Sequence, residues 1–322
     1  MIIGAALLFC VYFLLGYFED RNVKISYAIL FVILSFVLKF SIDVTKTADY
    51  DNYLFVLALD RIGFSLKALF AEPYFFQIGA LLYKYYPKEQ SLAFFYESSF
   101  IFSTVFFFWL AFLKNVSTFN KVIVFSLYYF FFTYIILRNA PAYMLSAVCF
   151  YYLQRNLYLK STALSFLVHL SSLPIIFFSL FKNKLGDRKL ILVCLFYIIF
   201  FNLLLRIEFL GIYEKFLIYA SFNSGQSVFH QIYFYIFIAY NIYLFFVKKD
   251  IIYNYTYLLL LVTYLILNYS NSVMGYRFSV YLVLYLMINP KLTYTEKIRP
   301  KFLFLLPIFL VLFIFNYLTL QK

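Results

Sequence analysis

The sequence predicts an all-α, polytopic integral membrane protein. Its 322 residues are 65% hydrophobic and only 13% charged, with a mean hydropathy of +0.87. A soluble globular protein carries about 25% charged residues, so this composition excludes the soluble class. Apolar runs follow one another along the whole chain, and basic residues gather between them. We therefore expect one membrane domain over residues 1–322, with about ten transmembrane helices.

The apolar runs give the predicted helices in chain order. A helix needs about 20 residues to cross about 30 Å of hydrocarbon, and several runs are shorter, so their ends are approximate. The first run lacks a basic segment before it and a small-x-small cleavage site after it, which predicts an uncleaved helix. The spans are predicted near 1–18, 25–42, 90–113, 122–137, 140–153, 190–206, 231–247, 251–268, 278–290 and 302–320.

The net charge of +13 comes largely from short loops between the apolar runs. Lys and Arg enriched in short loops are typical of the cytoplasmic side of a membrane protein. This distribution argues against nucleic acid as a partner and predicts both termini outside. Sixteen of the 27 basic residues lie in these loops: Arg21, Lys24, Lys114, Lys121, Arg155, Lys160, Lys182, Lys184, Arg188, Lys189, Lys248, Lys249, Lys291, Lys297, Arg299 and Lys301.

One apolar segment, 161–181, does not fit a single crossing. It lies between basic loops 154–160 and 182–189, which both favour the cytoplasmic side. We expect a re-entrant pair of half-helices that turns near His169–Ser172, and Pro174 favours such a break. The alternative is that one of the two basic loops lies outside.

Two longer segments, near 43–89 and 207–230, are predicted to lie outside the membrane. Both mix aromatic and apolar residues with scattered charge, as interfacial helices do. Aromatic rings beside hydroxyl and carboxylate groups also suit sugar faces and edges. In the first segment, Pro73 after Glu72 predicts the start of a short helix, because proline is favoured at the first helical position.

Two arginines interrupt apolar runs. Arg138 lies in VIVFSLYYFFFTYIILRNAPAYMLSAVCFYYL, and Arg277 in NYSNSVMGYRFSVYL. A fixed charge at such a position is costly and marks a functional site, and a lipid phosphate is the anion that we expect there. The alternatives are an arginine that extends to the interface or, for Arg138, a salt bridge to Asp49 or Glu72.

No metal or cofactor site is predicted. Cys10, Cys149 and Cys194 lie inside apolar runs, as packing residues do, and His169 and His230 have no ligand partner at metal-binding spacing. No glycine-rich phosphate loop is present. A neutral imidazole can accept a proton, so His169 can act as a general base, and its alternative role is helix packing.

Five short motifs occur in a definite order along the chain: DYDNY at 49–53, AEP at 71–73, ILRNAPA at 136–142, KSTALSFLVHLSSLPII at 160–176 and YRFSVY at 276–281. Together they resemble the EpsG/Wzy family of membrane polysaccharide polymerases, over roughly residues 25–285. The resemblance implies a GT-C-like glycosyltransferase at the outer face of the bacterial cytoplasmic membrane, acting in O-antigen or capsule biosynthesis.

The resemblance also implies substrates, partners and site residues. Donor and acceptor would be undecaprenyl-diphosphate-linked oligosaccharides, with membrane lipid, a flippase and a chain-length regulator as further partners, and no cofactor. The other classes to compare are a membrane acyltransferase, which would place His169 at the cytoplasmic mouth, and a lipid-linked glycan transporter. The implied site residues are Asp49 and His169 as catalytic groups, and Arg138, Arg277, Glu72, Tyr53 and Tyr281 as substrate-binding groups.

Overall fold

The computed structural model describes residues 2–47, 49–58, 73–153, 170–172, 196, 199, 228–247, 255–270, 272–288 and 304–320. These residues contain helices and no strand, so the all-α prediction is confirmed for this part of the chain. Short 3-10 helices cover Val44–Lys46 and Leu170–Ser172, and a π-helical segment covers Phe131–Ile135. The α-helices are α1 (Ile2–Tyr17), α2 (Arg21–Phe40), α3 (Tyr50–Ala58), α4 (Pro73–Tyr85), α5 (Lys88–Phe112), α6 (Thr118–Phe130), α7 (Ala140–Leu153), α8 (Val228–Val247), α9 (Tyr255–Ser270), α10 (Ser272–Ile288) and α11 (Leu306–Thr319).

Three of the described helices are long and apolar enough to cross a membrane: α2, α5, and α6 together with the π-helical segment. Helices α1, α9, α10 and α11 are apolar but shorter, as is the apolar stretch Gln231–Phe246 of α8. Each of these helices overlaps a predicted span. The predicted span at 190–206 lies outside the described residues except for 196 and 199, which are helical. Helix α4 begins at Pro73, as the sequence predicts.

The chain divides into two compact units. The first contains Met1–Ile62, Tyr74–Met144 and Met287–Lys322, and the second contains Gly63–Pro73 and Leu145–Leu286. In the first unit, α1 packs against α2, α5, α6 and α11. An aromatic core holds these helices together, because the ring of Tyr12 stacks on Phe125 at 3.8 Å and Phe125 stacks on Phe313 at 4.8 Å.

One end of the first unit is basic. The hydroxyl of Thr118, in the first turn of α6, donates to the carbonyl of Gly16 at the end of α1 (2.9 Å). The buried ammonium of Lys121 donates to the carbonyl of Ala111 in the last turn of α5 (2.9 Å), where the helix dipole favours a cation. The ammonium of Lys24 lies 4.9 Å from the ring centre of Phe112. We call this region, which also includes Lys114, the basic end.

The opposite end of the first unit is where α2 ends and α5 begins. Lys39 of α2 pairs with Glu97 of α5. Beyond α2, the hydroxyl of Thr47 is 2.7 Å from that of Tyr96 on α5. Since α6 begins at the basic end, the π-helical segment that follows α6 lies at this opposite end. The candidate site residues of this unit, Asp49, Tyr53 and Arg138, therefore lie away from the basic end.

The second unit is held by contacts among α8, α9 and α10. Tyr257 of α9 donates to Asn241 of α8, and the hydroxyl of Tyr233 on α8 is 2.6 Å from Ser279 on α10. A Cβ atom added to Gly275 of α10 would lie 2.6 Å from Cα of Asn268 on α9. Glycine is therefore what lets these two helix backbones approach closely.

Candidate functional site

The π-helical segment interrupts the regular hydrogen bonding of α6 just before Arg138. The amide of Ile136 donates to the carbonyl of Phe131, five residues back, at 3.0 Å. The hydroxyl of Thr133 donates to the carbonyl of Tyr129 at 2.6 Å. Ile136 then leaves the helix with φ −107° and ψ 56°. π-Helical turns of this kind occur frequently at functional sites.

Side chains from other helices satisfy carbonyls of this segment. The hydroxyl of Ser99 on α5 donates to the carbonyl of Phe132 at 2.7 Å. The hydroxyl of Tyr53 on α3 donates to the carbonyl of Ile135 at 2.9 Å. Irregular backbone is tolerated in an apolar setting only when such groups are satisfied. Tyr53 and Ser99 therefore fix the backbone that leads to Arg138.

Arg138 lies in the turn between the π-helical segment and α7. The amide of Ala140 donates to the carbonyl of Ile136 at 2.9 Å, which closes the turn and starts α7. Pro141 is the second residue of α7, a position in the first turn where its missing amide costs no helical hydrogen bond. The structure thus confirms the predicted break between the runs 122–137 and 140–153.

The guanidinium of Arg138 lies over two aromatic rings of α4. Its Cζ atom is 5.7 Å from the ring centre of Phe75 and 5.3 Å from that of Phe76, distances at which a cation is attracted to a ring face. The side chain is half-buried and makes further interactions. Phe75 also packs 5.4 Å from the ring of Tyr53. The structure therefore joins Tyr53 and Arg138 through one aromatic residue.

Asp49 lies immediately before α3 and is half-buried. The side-chain amide of Asn52 donates to its carboxylate at 3.4 Å, and Tyr53 follows one helical turn later. Nearby charge is acidic: burial raises the pKa of Tyr50, and the carboxylates of Glu89, Asp51 and Asp43 raise it further. Asp51 is exposed in the first turn of α3.

Glu97 was not among the residues singled out by sequence. It is an acidic residue within the apolar helix α5, and its ion pair with Lys39 links α2 to α5 near Ser99. The usable signal was a lone carboxylate in SLAFFYESSFIF at 91–102, because an ionisable residue within an apolar span is functional or paired. Lys39 also lies 5.2 Å from the ring centre of Phe100.

In the second unit the structure joins two of the motifs. The hydroxyls of Ser171 and Tyr281 are 2.8 Å apart, so the 3-10 turn Leu170–Ser172 contacts α10. The predicted half-helices on either side of this segment, within 161–181, lie outside the described residues. Arg277 is half-buried and precedes Tyr281 by four residues on α10, so the two share a helix face.

Two of the implied site residues, Glu72 and His169, lie outside the described residues. Within the described ranges, no group of three His, Cys, Asp or Glu side chains is placed to hold a metal ion. Asp49, Tyr53 and Arg138 belong to the first unit, and Arg277 and Tyr281 to the second. Comparison of the chain with protein-family models, with curated proteins and with solved structures gives no match.

Proposed function

We propose that this protein is a polysaccharide polymerase of the bacterial cytoplasmic membrane, with about ten spans and a GT-C-like fold. It joins undecaprenyl-diphosphate-linked oligosaccharide repeat units at the outer face. The observation that carries the proposal is the placement of Arg138. A guanidinium is presented by a helix break, over the rings of Phe75 and Phe76, at the end of the first unit opposite the basic end.

Orientation supports this assignment. The topology predicted from the sequence puts the short basic loops in the cytoplasm, and this assigns the end with Lys24 and Lys121 to that side. The end with Asp49, Tyr53 and Arg138 then faces outward, where lipid-linked repeat units are joined. An acyltransferase that takes its acyl donor from the cytoplasm would need its site at the basic end.

The chemistry requires two kinds of group. The bond between the donor's anomeric carbon and the diphosphate oxygen breaks, and a hydroxyl oxygen of the acceptor sugar forms the new bond. Arg138 stabilises the negative charge on the departing diphosphate through paired hydrogen bonds, and Arg277 has the same role in the second unit. The hydroxyl proton passes to a base, for which Asp49 and His169 are the candidates.

Binding of sugars uses the aromatic and polar groups beside these residues. Phe76 is half-buried and lies next to Arg138, whereas Phe75 is fully buried and supports the guanidinium. Tyr281 is on the same helix face as Arg277 but is fully buried, so its hydroxyl acts through Ser171. Glu72, directly before α4, belongs to the same group by sequence. Tyr53 orients Arg138 through its hydrogen bond to the carbonyl of Ile135. Such positioning matters because correct orientation of the reacting groups accounts for much of the rate of a transfer reaction.

The test is the length of the surface glycan in a strain deleted for this protein and complemented with Arg138→Ala. We expect single repeat units on the cell surface and no long ladder, at wild-type protein abundance. Arg21→Ala, at the exposed start of α2, is the control and should restore the full ladder.

A full ladder from the uncomplemented deletion strain would overturn the function, and a full ladder from Arg138→Ala would overturn the role of this site. Absence of surface repeat units would indicate a transporter, and an intact ladder with altered decoration an acyltransferase.

A further inference from the structure

Three lysines converge at the basic end of the first unit. Lys24 lies in the first turns of α2, Lys114 in the turn after α5, and Lys121 in α6. The charge of Lys114 acts on Lys24, and the charge of Lys24 acts on Lys121. The three side chains range from exposed (Lys114) through half-buried (Lys24) to buried (Lys121). They form a cationic cluster that extends from the surface into the helix bundle.

Among the described residues, acidic groups balance little of this charge. None of the three lysines forms an ion pair with a described residue. The carboxylate of Glu19 is near enough to act on Lys24. One carboxylate beside three lysines leaves an excess of positive charge. Like charges held close together repel one another, and a bound anion would relieve this repulsion.

Lys121 is the most informative of the three. Only 3% of its surface is exposed, and its ammonium donates to the carbonyl of Ala111 at 2.9 Å. An ammonium has three donors, and this bond uses one of them. A buried cation with remaining donors, beside two other cations, is suited to a phosphate, which accepts several hydrogen bonds at once.

An apolar stripe continues from this cationic cluster along α5. Val105, Phe108 and Phe112 recur at intervals of three and four residues, so they lie on one face. Val105 and Phe108 are 61% and 38% exposed, and the rings of Phe108 and Phe112 stack at 4.7 Å. Lys24 lies above Phe112, where the stripe meets the cations. A headgroup phosphate at the lysines would place an acyl chain along this stripe.

We propose that Lys24, Lys114 and Lys121 bind the headgroup phosphate of an anionic phospholipid from the cytoplasmic leaflet. The lipid joins the ends of α2, α5 and α6 and stabilises the first unit. This site is at the opposite end from Arg138 and rests on the proposed membrane setting, not on the polymerase reaction. Its test therefore measures lipid binding and stability, without glycan synthesis.

The experiment uses the purified full chain in detergent micelles, with phosphatidylglycerol, phosphatidylcholine and inorganic phosphate as probes. Lys24→Gln combined with Lys114→Gln removes the two accessible charges and leaves the buried Lys121 in place. Lys84→Gln combined with Lys88→Gln is the matched control, because both lysines are exposed and belong to α4 and the start of α5. Native mass spectrometry counts the retained lipid, and thermal unfolding measures its effect.

We expect the wild type and the control to retain phosphatidylglycerol and to unfold at a higher temperature with it than with phosphatidylcholine. The Lys24/Lys114 variant should bind phosphatidylglycerol roughly tenfold more weakly or worse, since each lost charged hydrogen bond is worth about that factor. Equal lipid retention by this variant would overturn the proposal, as would an equal loss in the control. Equal stabilisation by inorganic phosphate would overturn the assignment to a lipid.

Discussion

Ser99 and Ser103 lie one turn apart on α5, and both are fully buried, but their hydroxyls differ in one respect. The hydroxyl of Ser99 donates to the carbonyl of Phe132 at 2.7 Å, whereas that of Ser103 has no hydrogen-bond partner among the described residues. The two serines thus offer a comparison within one helix. It isolates the hydrogen bond that holds the π-helical segment.

Ser99→Ala should lower the free energy of unfolding by about 1 kcal/mol, because a buried carbonyl loses its donor. Ser103→Ala should change it little or raise it slightly, since it removes an unsatisfied buried hydroxyl. Denaturant unfolding of both variants in detergent measures the difference. Equal losses would show that the bond to Phe132 does not contribute to stability.

Tyr53→Phe should reduce polymer length while the ring contact with Phe75 is kept. The change removes only the hydroxyl that donates to Ile135, so the backbone before Arg138 loses one constraint. Tyr50→Phe on the same helix is the control and should leave the ladder intact, because the hydroxyl of Tyr50 forms no hydrogen bond with a described residue. Polymer length on gels provides the measurement, and a normal ladder from Tyr53→Phe would exclude a positioning role.

Arg138→Lys should abolish most polymer despite keeping the charge. A lysine ammonium is a point charge and cannot replace the two-donor geometry of a guanidinium on a diphosphate. Arg21→Lys at the exposed start of α2 should have no effect. A near-normal ladder from Arg138→Lys, with protein abundance matched by immunoblot, would favour an arginine that only extends to the interface.

Gly275→Ala should destabilise the second unit by about 1–3 kcal/mol, the usual cost of overpacking. The new Cβ atom would lie 2.6 Å from backbone Cα of Asn268, so α9 and α10 must separate. Gly4→Ala in α1 is the control, since its Cβ would meet a side-chain carbon of Leu38 at an ordinary 3.5 Å. Thermal unfolding compares them, and equal midpoints would contradict close packing at Gly275.

A pH-dependent contribution to stability is expected at Asp43. The hydroxyl of Thr45 donates to its carboxylate at 2.6 Å, and this bond, with the Thr45 amide and Lys46, holds the pKa of Asp43 below its ordinary value. A carboxyl with a lowered folded pKa stabilises the fold above its unfolded pKa of about 3.9. This contribution is lost as the pH falls through the lowered folded pKa.

Thr45→Val removes the hydroxyl while keeping the side-chain shape. The thermal midpoint of the wild type should exceed that of Thr45→Val at about pH 6, and the difference should shrink as the pH is lowered towards about 3. A difference that stays constant over this range would show that the bond to Asp43 is not its source.

The sequence predicted the helices well where composition alone decides the structure. Apolar runs correspond to helices because backbone groups in an apolar setting must bond within their own segment. Arg138 and Asn139 marked a real break, and Pro73 a real helix start. Arg138 ends the apolar run through its charge, and Pro73 starts a helix because it lacks the backbone amide hydrogen.

The sequence did not predict contacts that depend on which helices lie side by side. The bond from Tyr53 to Ile135 joins residues 82 positions apart, and the pair of Lys39 with Glu97 joins residues 58 positions apart. No local pattern encodes such pairings. The π-helical segment was also missed, because FFTYI has the same apolar composition as the regular helix before it.

The π-helical segment also sets the direction in which Arg138 points. Each residue of an α-helix turns the chain by about 100°, and a π-helical turn holds one residue more than an α-helical turn. Deleting one residue from 131–135 would restore regular helix and rotate everything after it by about that angle. Arg138 would then leave the rings of Phe75 and Phe76 although no contacting side chain had changed. The spacing of this segment is therefore as important as its composition, and a one-residue deletion there should be more harmful than a conservative substitution.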